Sequence, residues 1–185
     1  MKKYILIAGV NGAGKSTLYQ TLESLKDMPR INTDEIVKSF GSWKNMSDVF
    51  KAGKIAVKMI KEYFEQGITF NQETTLCGAN IIQNIKLAKS LGYKVELHYV
   101  GVDSVDIAKE RIAYRVSKGG HGIPDIDVER RYIKSFERLK EIISLCDLIV
   151  LYDNTKNFNR FAIYKEGKLF DLSDNRPDWY NELKI

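Results

Sequence analysis

Tyr4-Ile5-Leu6-Ile7-Ala8 is an unbroken apolar run, the pattern of a parallel strand buried on both faces, and it stops at Gly9. The glycine-rich segment that follows opens a helix running to about Lys26. Arg30-Ile31-Asn32 reads as a short strand, and a polar stretch from Thr33 to Asp48 leads into a helix to about Gln66, ended by Gly67. Ile68 to Glu73 reads as a strand, Ala79 to Leu91 as a helix stopped by Gly92, and Lys94 to Val102 as a strand. Val105 to Val116 is helical by pattern, whereas Lys118-Gly119-Gly120-His121-Gly122-Ile123-Pro124 is not. A long helix from about Ile126 to Leu145 carries Tyr132, Phe136, Leu139 and Ile143 on one stripe, its core face. Asp147 to Tyr152 is the last strong parallel-strand candidate. Phe161 to Tyr164 and Leu169 to Leu172 then form a hairpin about Lys165-Glu166-Gly167-Lys168. Strands alternating with helices predict an α/β fold, a parallel sheet covered on both faces through right-handed crossovers.

Composition narrows the class. A chain of 185 residues suits one domain. With 44 % apolar and 29 % charged residues it can fold by burial, without disulfides, and is not disordered. Cys77 and Cys146 are far apart and lack metal-binding spacing, so two reduced thiols are expected. The apolar run after Lys2 and Lys3 is too short for a signal peptide or a membrane span, which points to a cytoplasmic protein with no membrane partner. A net charge of +5 attracts an anion without demanding nucleic acid.

The strongest chemical signal is Gly9-x-x-x-x-Gly14-Lys15-Ser16, a phosphate-binding loop placed between a strand and a helix as that motif requires. Backbone N–H groups of Asn11, Gly12, Ala13, Gly14, Lys15, Ser16 and Thr17 are expected to cradle the phosphates of ATP. Lys15 should reach the β and γ phosphates, and the Ser16 hydroxyl should ligate Mg²⁺. No guanine-reading Asn-Lys-x-Asp element occurs, and the chain is short for a mechanical ATPase, so a small kinase gains weight.

In open parallel sheets ligands lie beyond the carboxyl ends of the strands. Asp34 and Glu73 both follow strands there, and a kinase needs a carboxylate to orient and deprotonate the acceptor hydroxyl. The competing reading of Asp34 is a helix-start carboxylate within Asn32-Thr33-Asp34-Glu35, and that of Glu73 a solvated strand end. Lys109 to Arg138 holds eight Lys or Arg against five acids and surrounds the glycines at 119, 120 and 122. This is the composition of a hinged lid, about residues 117–130, that brings arginines to the transferring phosphoryl group. His121 reads as a surface residue of that loop, with a hydrogen bond or a phosphate contact as the alternative, and His98 reads as structural. Asn154, after the last parallel strand, would approach the adenine or sit in a turn.

Taken together, Gly9 to Thr17, Asn32 to Glu35, Gln72 to Leu76, Gly119 to Pro124, Arg130-Arg131-Tyr132 and Tyr152-Asp153-Asn154 resemble the short members of the zeta-toxin-like P-loop kinases. The resemblance implies a five-stranded parallel sheet in the order 2-3-1-4-5 with an arginine-bearing lid. It also implies ATP-dependent phosphorylation of a UDP-linked amino sugar, UDP-N-acetylglucosamine above all. Asp34 matches the base, Glu73 and Thr75 match a substrate-contacting Glu-x-Thr, and Arg111, Arg115, Arg130 and Arg131 match phosphate clamps. Of these, Lys15, Asp34, Arg115 and Arg131 are expected at the reacting groups and Arg111 and Arg130 on the substrate. An antitoxin-like protein enters as a partner by the same resemblance. Where the larger toxins carry an arginine soon after the base, this chain has Glu35-Ile36-Val37-Lys38. The alternatives are a regulatory module that hydrolyses ATP slowly, or a kinase for a nucleotide or another small metabolite.

Overall fold

The first strand, β1 (Lys3–Ala8), alternates between two cores, which is why its sequence is apolar throughout. Tyr4, Leu6 and Ala8 enter one cluster, and Ile5 and Ile7 enter the other. This computed structural model describes residues 1–183. The strands β2 (Arg30–Ile31), β3 (Phe70–Thr74), β4 (Lys94–Gly101) and β5 (Leu148–Asp153) pair in parallel around β1. The antiparallel strands β6 (Asn159–Lys165) and β7 (Lys168–Leu172) join β5 at one edge. One seven-stranded mixed sheet results, in the order β2-β3-β1-β4-β5-β6-β7. The five-stranded parallel sheet expected from the sequence is therefore corrected. Its strands keep the relative order 2-3-1-4-5, but the hairpin extends the sheet by two, because β6 uses the free edge of β5.

Helices cover both faces. On one side lie α3 (Met46–Gln66), α4 (Ile81–Ser90) and α7 (Asp178–Leu183), with the later half of α6 (Asp125–Ile142). On the other lie α1 (Lys15–Thr21), the 3-10 turn Glu23–Leu25 and α5 (Val105–Ser117), with Val128 of α6. The first helix stops at Thr21, short of the expected Lys26: the Thr21 hydroxyl donates to the Leu18 carbonyl at 2.8 Å, and Leu22 leaves the helical region at φ −95°, ψ 86°. The Thr33 to Asp48 stretch contains a helix that the polar pattern hides, α2 (Thr33–Phe40), capped by Asn32, whose side chain accepts from the Asp34 N–H at 2.9 Å. Gly67 ends α3 in the left-handed conformation at φ 69°, as expected. The terminal α7 was not expected from the pattern. Its Trp179 packs where only a glycine at 101 leaves room, and the indole N–H donates to Asp153 at 3.0 Å. Among the described residues, no helix is long and apolar enough to cross a membrane.

Candidate active site

Residues 9–14 leave the end of β1 and turn into α1. Gly12 has φ 81°, and a Cβ there would stand 2.5 Å from the Ala108 carbonyl oxygen of α5. The loop can therefore lie flat on its neighbour only with glycine at that position. Lys15, the first residue of α1, is buried, and its Nζ donates to the Val10 carbonyl at 3.0 Å. Burial holds its pKa below that of an ordinary lysine, the Glu73 and Asp34 carboxylates oppose this, and Arg115 and Arg131 add to it. Asn154, expected near the base of the nucleotide, spends one amide N–H on the Ala13 carbonyl at 2.8 Å, so it braces the loop.

Glu73 leaves the sheet near the end of β3 and is no solvated strand end. Its side chain is 12 % exposed, Arg30 donates to it at 2.6 Å and Asn32 at 3.1 Å, and the Ser16 hydroxyl stands 3.4 Å from both oxygens. Arg30 is in turn paired with Glu35 at 3.0 Å and stacked 3.6 Å from the centre of the Tyr19 ring. Asp34 lies in the first turn of α2, but Asn32 does the capping, so the carboxylate of Asp34 is left to face the cleft and is about half exposed. Thr75 lines the same cleft, one residue before Leu76, whose φ of 63° is strained for a side-chain-bearing residue.

The arginines converge from α5 and α6. Arg111 donates to the Thr155 carbonyl at 3.2 Å, Arg115 to the His121 carbonyl at 2.9 Å, and Arg131 to the Asn11 side chain of the phosphate loop at 3.0 Å. Arg111 Nη1 and Arg115 Nη2 are buried and have no hydrogen-bond partner among the described residues. A buried guanidinium N–H without an acceptor is costly unless an anion completes it. Arg130 stands at the rim, mostly exposed, paired with Asp127 at 2.7 Å.

The cleft has a volume of about 1270 Å³ and extends from the phosphate loop to an apolar wall formed by Val49, Ala56, Val57 and Ile60 of α3; Asn32, His121 and Asp127 line it, whereas Ala13, Arg30 and Asn154 do not. The structure thus brings Asn11, Gly12, Gly14, Lys15, Ser16, Thr17, Asp34, Glu73, Thr75, Arg111, Arg115, Arg130 and Arg131 to one place. Sequence reasoning missed Arg30, Asn32 and Trp43, and set His121 on the surface. His121 instead stacks on Trp43 with ring centres 4.8 Å apart and is partly buried. Arg30 carries no local signal, because its partner Glu73 reaches it through the pairing of β2 with β3.

The groups present fit a magnesium-bound polyphosphate. Unpartnered cationic N–H groups surround the loop, and Ser16 makes only long contacts. Among the described residues, no cluster of three or more His, Cys, Asp or Glu could hold a metal by itself. An ion held mainly by phosphate oxygens and water, with one hydroxyl, suits Mg²⁺.

Comparison with known proteins agrees with this architecture. A protein of Haemophilus influenzae, described as uncharacterized, is 36 % identical over 130 residues, 70 % of this chain and 92 % of that one. The solved structure of AvrRxo1-ORF1:-ORF2 with ATP matches with a TM-score of 0.75 at 15 % identity, covering 99 % of this chain and 63 % of the other, so the chain spans less than two thirds of that protein. The PezAT chromosomal toxin-antitoxin system of Streptococcus pneumoniae matches with a TM-score of 0.64 at 16 % identity, covering 100 % of this chain and 83 % of that one. At those identities the likeness is one of fold. The profile of the Zeta toxin family matches residues 1–175, and the chain therefore belongs to that family, the zeta-toxin-like P-loop kinases.

Proposed function

We propose that this protein transfers the γ-phosphate of Mg-ATP to a hydroxyl of a small molecule, with a UDP-linked amino sugar such as UDP-N-acetylglucosamine as the first acceptor to test. The observation that carries this reading is the pair of buried, unpartnered guanidinium nitrogens of Arg111 and Arg115, set with Lys15 and Arg131 about a phosphate loop. That much convergent positive charge favours a polyphosphate and the charge that develops on it during transfer. Lys15 and the loop N–H groups hold the β and γ phosphates. Ser16 would be the protein ligand of Mg²⁺, which when bound would neutralise charge on the phosphate oxygens. Residues 117–130 act as the lid of a single kinase unit, with Arg115 and Arg131 as clamps that tighten as the phosphoryl group moves. Asp34 faces the open half of the cleft and takes the acceptor proton, while Glu73 and Thr75 border the space for the acceptor and Arg111 and Arg130 bind its or the nucleotide's phosphates.

Glu73 is the residue whose role the geometry modifies most. Because Arg30, Asn32 and Ser16 already engage it, the acceptor meets a carboxylate held in place rather than a mobile one. An antitoxin-like partner remains a proposal carried by the family. The deciding experiment incubates the protein with labelled ATP and a panel of UDP-sugars, nucleosides and small metabolites, and looks for a phosphorylated product. Asp34→Asn should bind ATP but lower kcat about 10²-fold or more, and Lys15→Ala should abolish turnover. Full turnover in both variants would reject the reading.

A further inference from the structure

His121 lies in the glycine-rich loop between α5 and α6 and is held from two directions. Its carbonyl accepts from Arg115 Nε at 2.9 Å, and a Cβ at Gly120 would stand 2.5 Å from Arg115 Cγ, so the loop lies directly on that side chain. Its ring stacks on Trp43, from the connection between α2 and α3, at 4.8 Å and 15° between planes. Both residues line the cleft, and the stack joins the α5–α6 loop to the α2–α3 connection.

The imidazole Nδ1 stands 3.9 Å from Asp34 Oδ1, within ion-pair range and about 1 Å beyond a hydrogen bond. The groups facing the ring are Asp34 and Lys38 of α2, Arg115 of α5 and Arg131 of α6, while Lys44 lies 5.5 Å from the centre of the Trp43 ring. Burial lowers the pKa of His121, Arg115, Arg131 and Lys38 lower it further, and Asp34 opposes them. Burial and the three cations thus favour the neutral ring. A neutral imidazole protonated on Nδ1 can donate to one oxygen of Asp34 without discharging the carboxylate, and the second oxygen stays available to a hydroxyl. Imidazolium would instead tie the carboxylate into an ion pair and make it a weaker base.

We propose that His121 is a positioning residue for Asp34: seated on Trp43 and carried by the loop, its imidazole orients the Asp34 carboxylate toward the acceptor when the loop is down. This rests on the reading of Asp34 as the proton acceptor. No element of it depends on which acceptor is used.

The chain has two histidines, so NMR of the intact protein resolves His121 directly. Its ring protons should be displaced upfield by the Trp43 ring current, with the displacement lost in Trp43→Ala and partly kept in Trp43→Phe. Asp34→Asn should lower the pKa of His121, because the carboxylate opposes its fall, and Trp43→Ala should weaken that coupling. In parallel, with Mg-ATP and water as the phosphate acceptor, His121→Ala should lower kcat at least about 5-fold with KM for ATP unchanged, and His121→Gln should recover part of the loss. A His121 titration indifferent to Asp34→Asn, or a kcat indifferent to His121→Ala, overturns the inference. Either result leaves the Lys15→Ala test of the kinase reading intact, so the two can fail separately.

Discussion

Replacing Glu73 by glutamine should cost stability as well as any role in acceptor binding, and the contacts say how much. In the native protein the carboxylate receives Arg30 at 2.6 Å and Asn32 at 3.1 Å, with the side chains of Arg30 and Glu73 only 13 % and 12 % exposed. Glutamine keeps the shape but has one carbonyl oxygen, so the charge-assisted bond to Arg30 becomes an ordinary one, a loss of about 1 to 1.5 kcal/mol. Arg30 and Asn32 both donate to Oε2, so the glutamine carbonyl oxygen can keep both, and its NH₂ meets only the Ser16 hydroxyl, which can accept from it. Arg30 is not stranded, because Glu35 stands at 3.0 Å, which keeps the total below the 3 to 5 kcal/mol typical of a broken buried pair. The expected loss is about 1 to 1.5 kcal/mol for Glu73→Gln and about 3 kcal/mol for Glu73→Ala. In a urea titration at pH 7 followed by far-UV circular dichroism, Glu73→Gln should move the midpoint down by about 0.5 M and Glu73→Ala by about 1.5 M, with the slope unchanged. A double-mutant cycle with Arg30→Leu should return a coupling of at least about 1 kcal/mol. Midpoints within about 0.2 M of wild type for both Glu73 variants would refute the argument and leave Glu73 as a substrate contact alone.

Gly9→Ala should destabilise the fold by about 2 kcal/mol or more and weaken ATP binding, since φ is 142° and a Cβ would collide with the Val100 carbonyl of β4; calorimetry with and without Mg-ATP checks both. Arg115→Lys should lower kcat more than it raises KM for ATP, because lysine cannot both hold the His121 carbonyl and present a second N–H to phosphate; equal losses would mean plain ground-state binding. His98 is partly buried beside the Tyr152 hydroxyl, and desolvation lowers its pKa from 6.5 to about 4, with Glu96 opposing and Lys3 adding. The unfolded chain therefore takes up a proton that the folded one refuses, so stability should fall as pH drops from 6.5 toward 4, by about 2 kcal/mol at pH 5 from this group. His98→Gln should flatten that part of the pH–stability curve, and an unchanged curve would exclude the assignment.

Local pattern alone settled the parts of this protein that depend on neighbouring residues. The apolar run Tyr4 to Ala8, the phosphate loop, the stop at Gly67 and the stripe on α6 follow from periodicity and from backbone sterics within a few residues, and each stands where expected. Asp34 and Glu73 were legible as candidates because both follow strands. Their surroundings were not. The bond of Glu73 to Arg30 exists because β2 and β3 pair in register, and the stack of His121 on Trp43 exists because the α5–α6 loop meets the α2–α3 connection. The hairpin was visible as a hairpin, but its place in the same sheet depended on the free edge of β5, and α7 was hidden because its anchor is the space beside Gly101. Sequence periodicity records which face of an element is buried. Which side chain lies opposite another is decided by strand order and crossover geometry, which act over the whole chain.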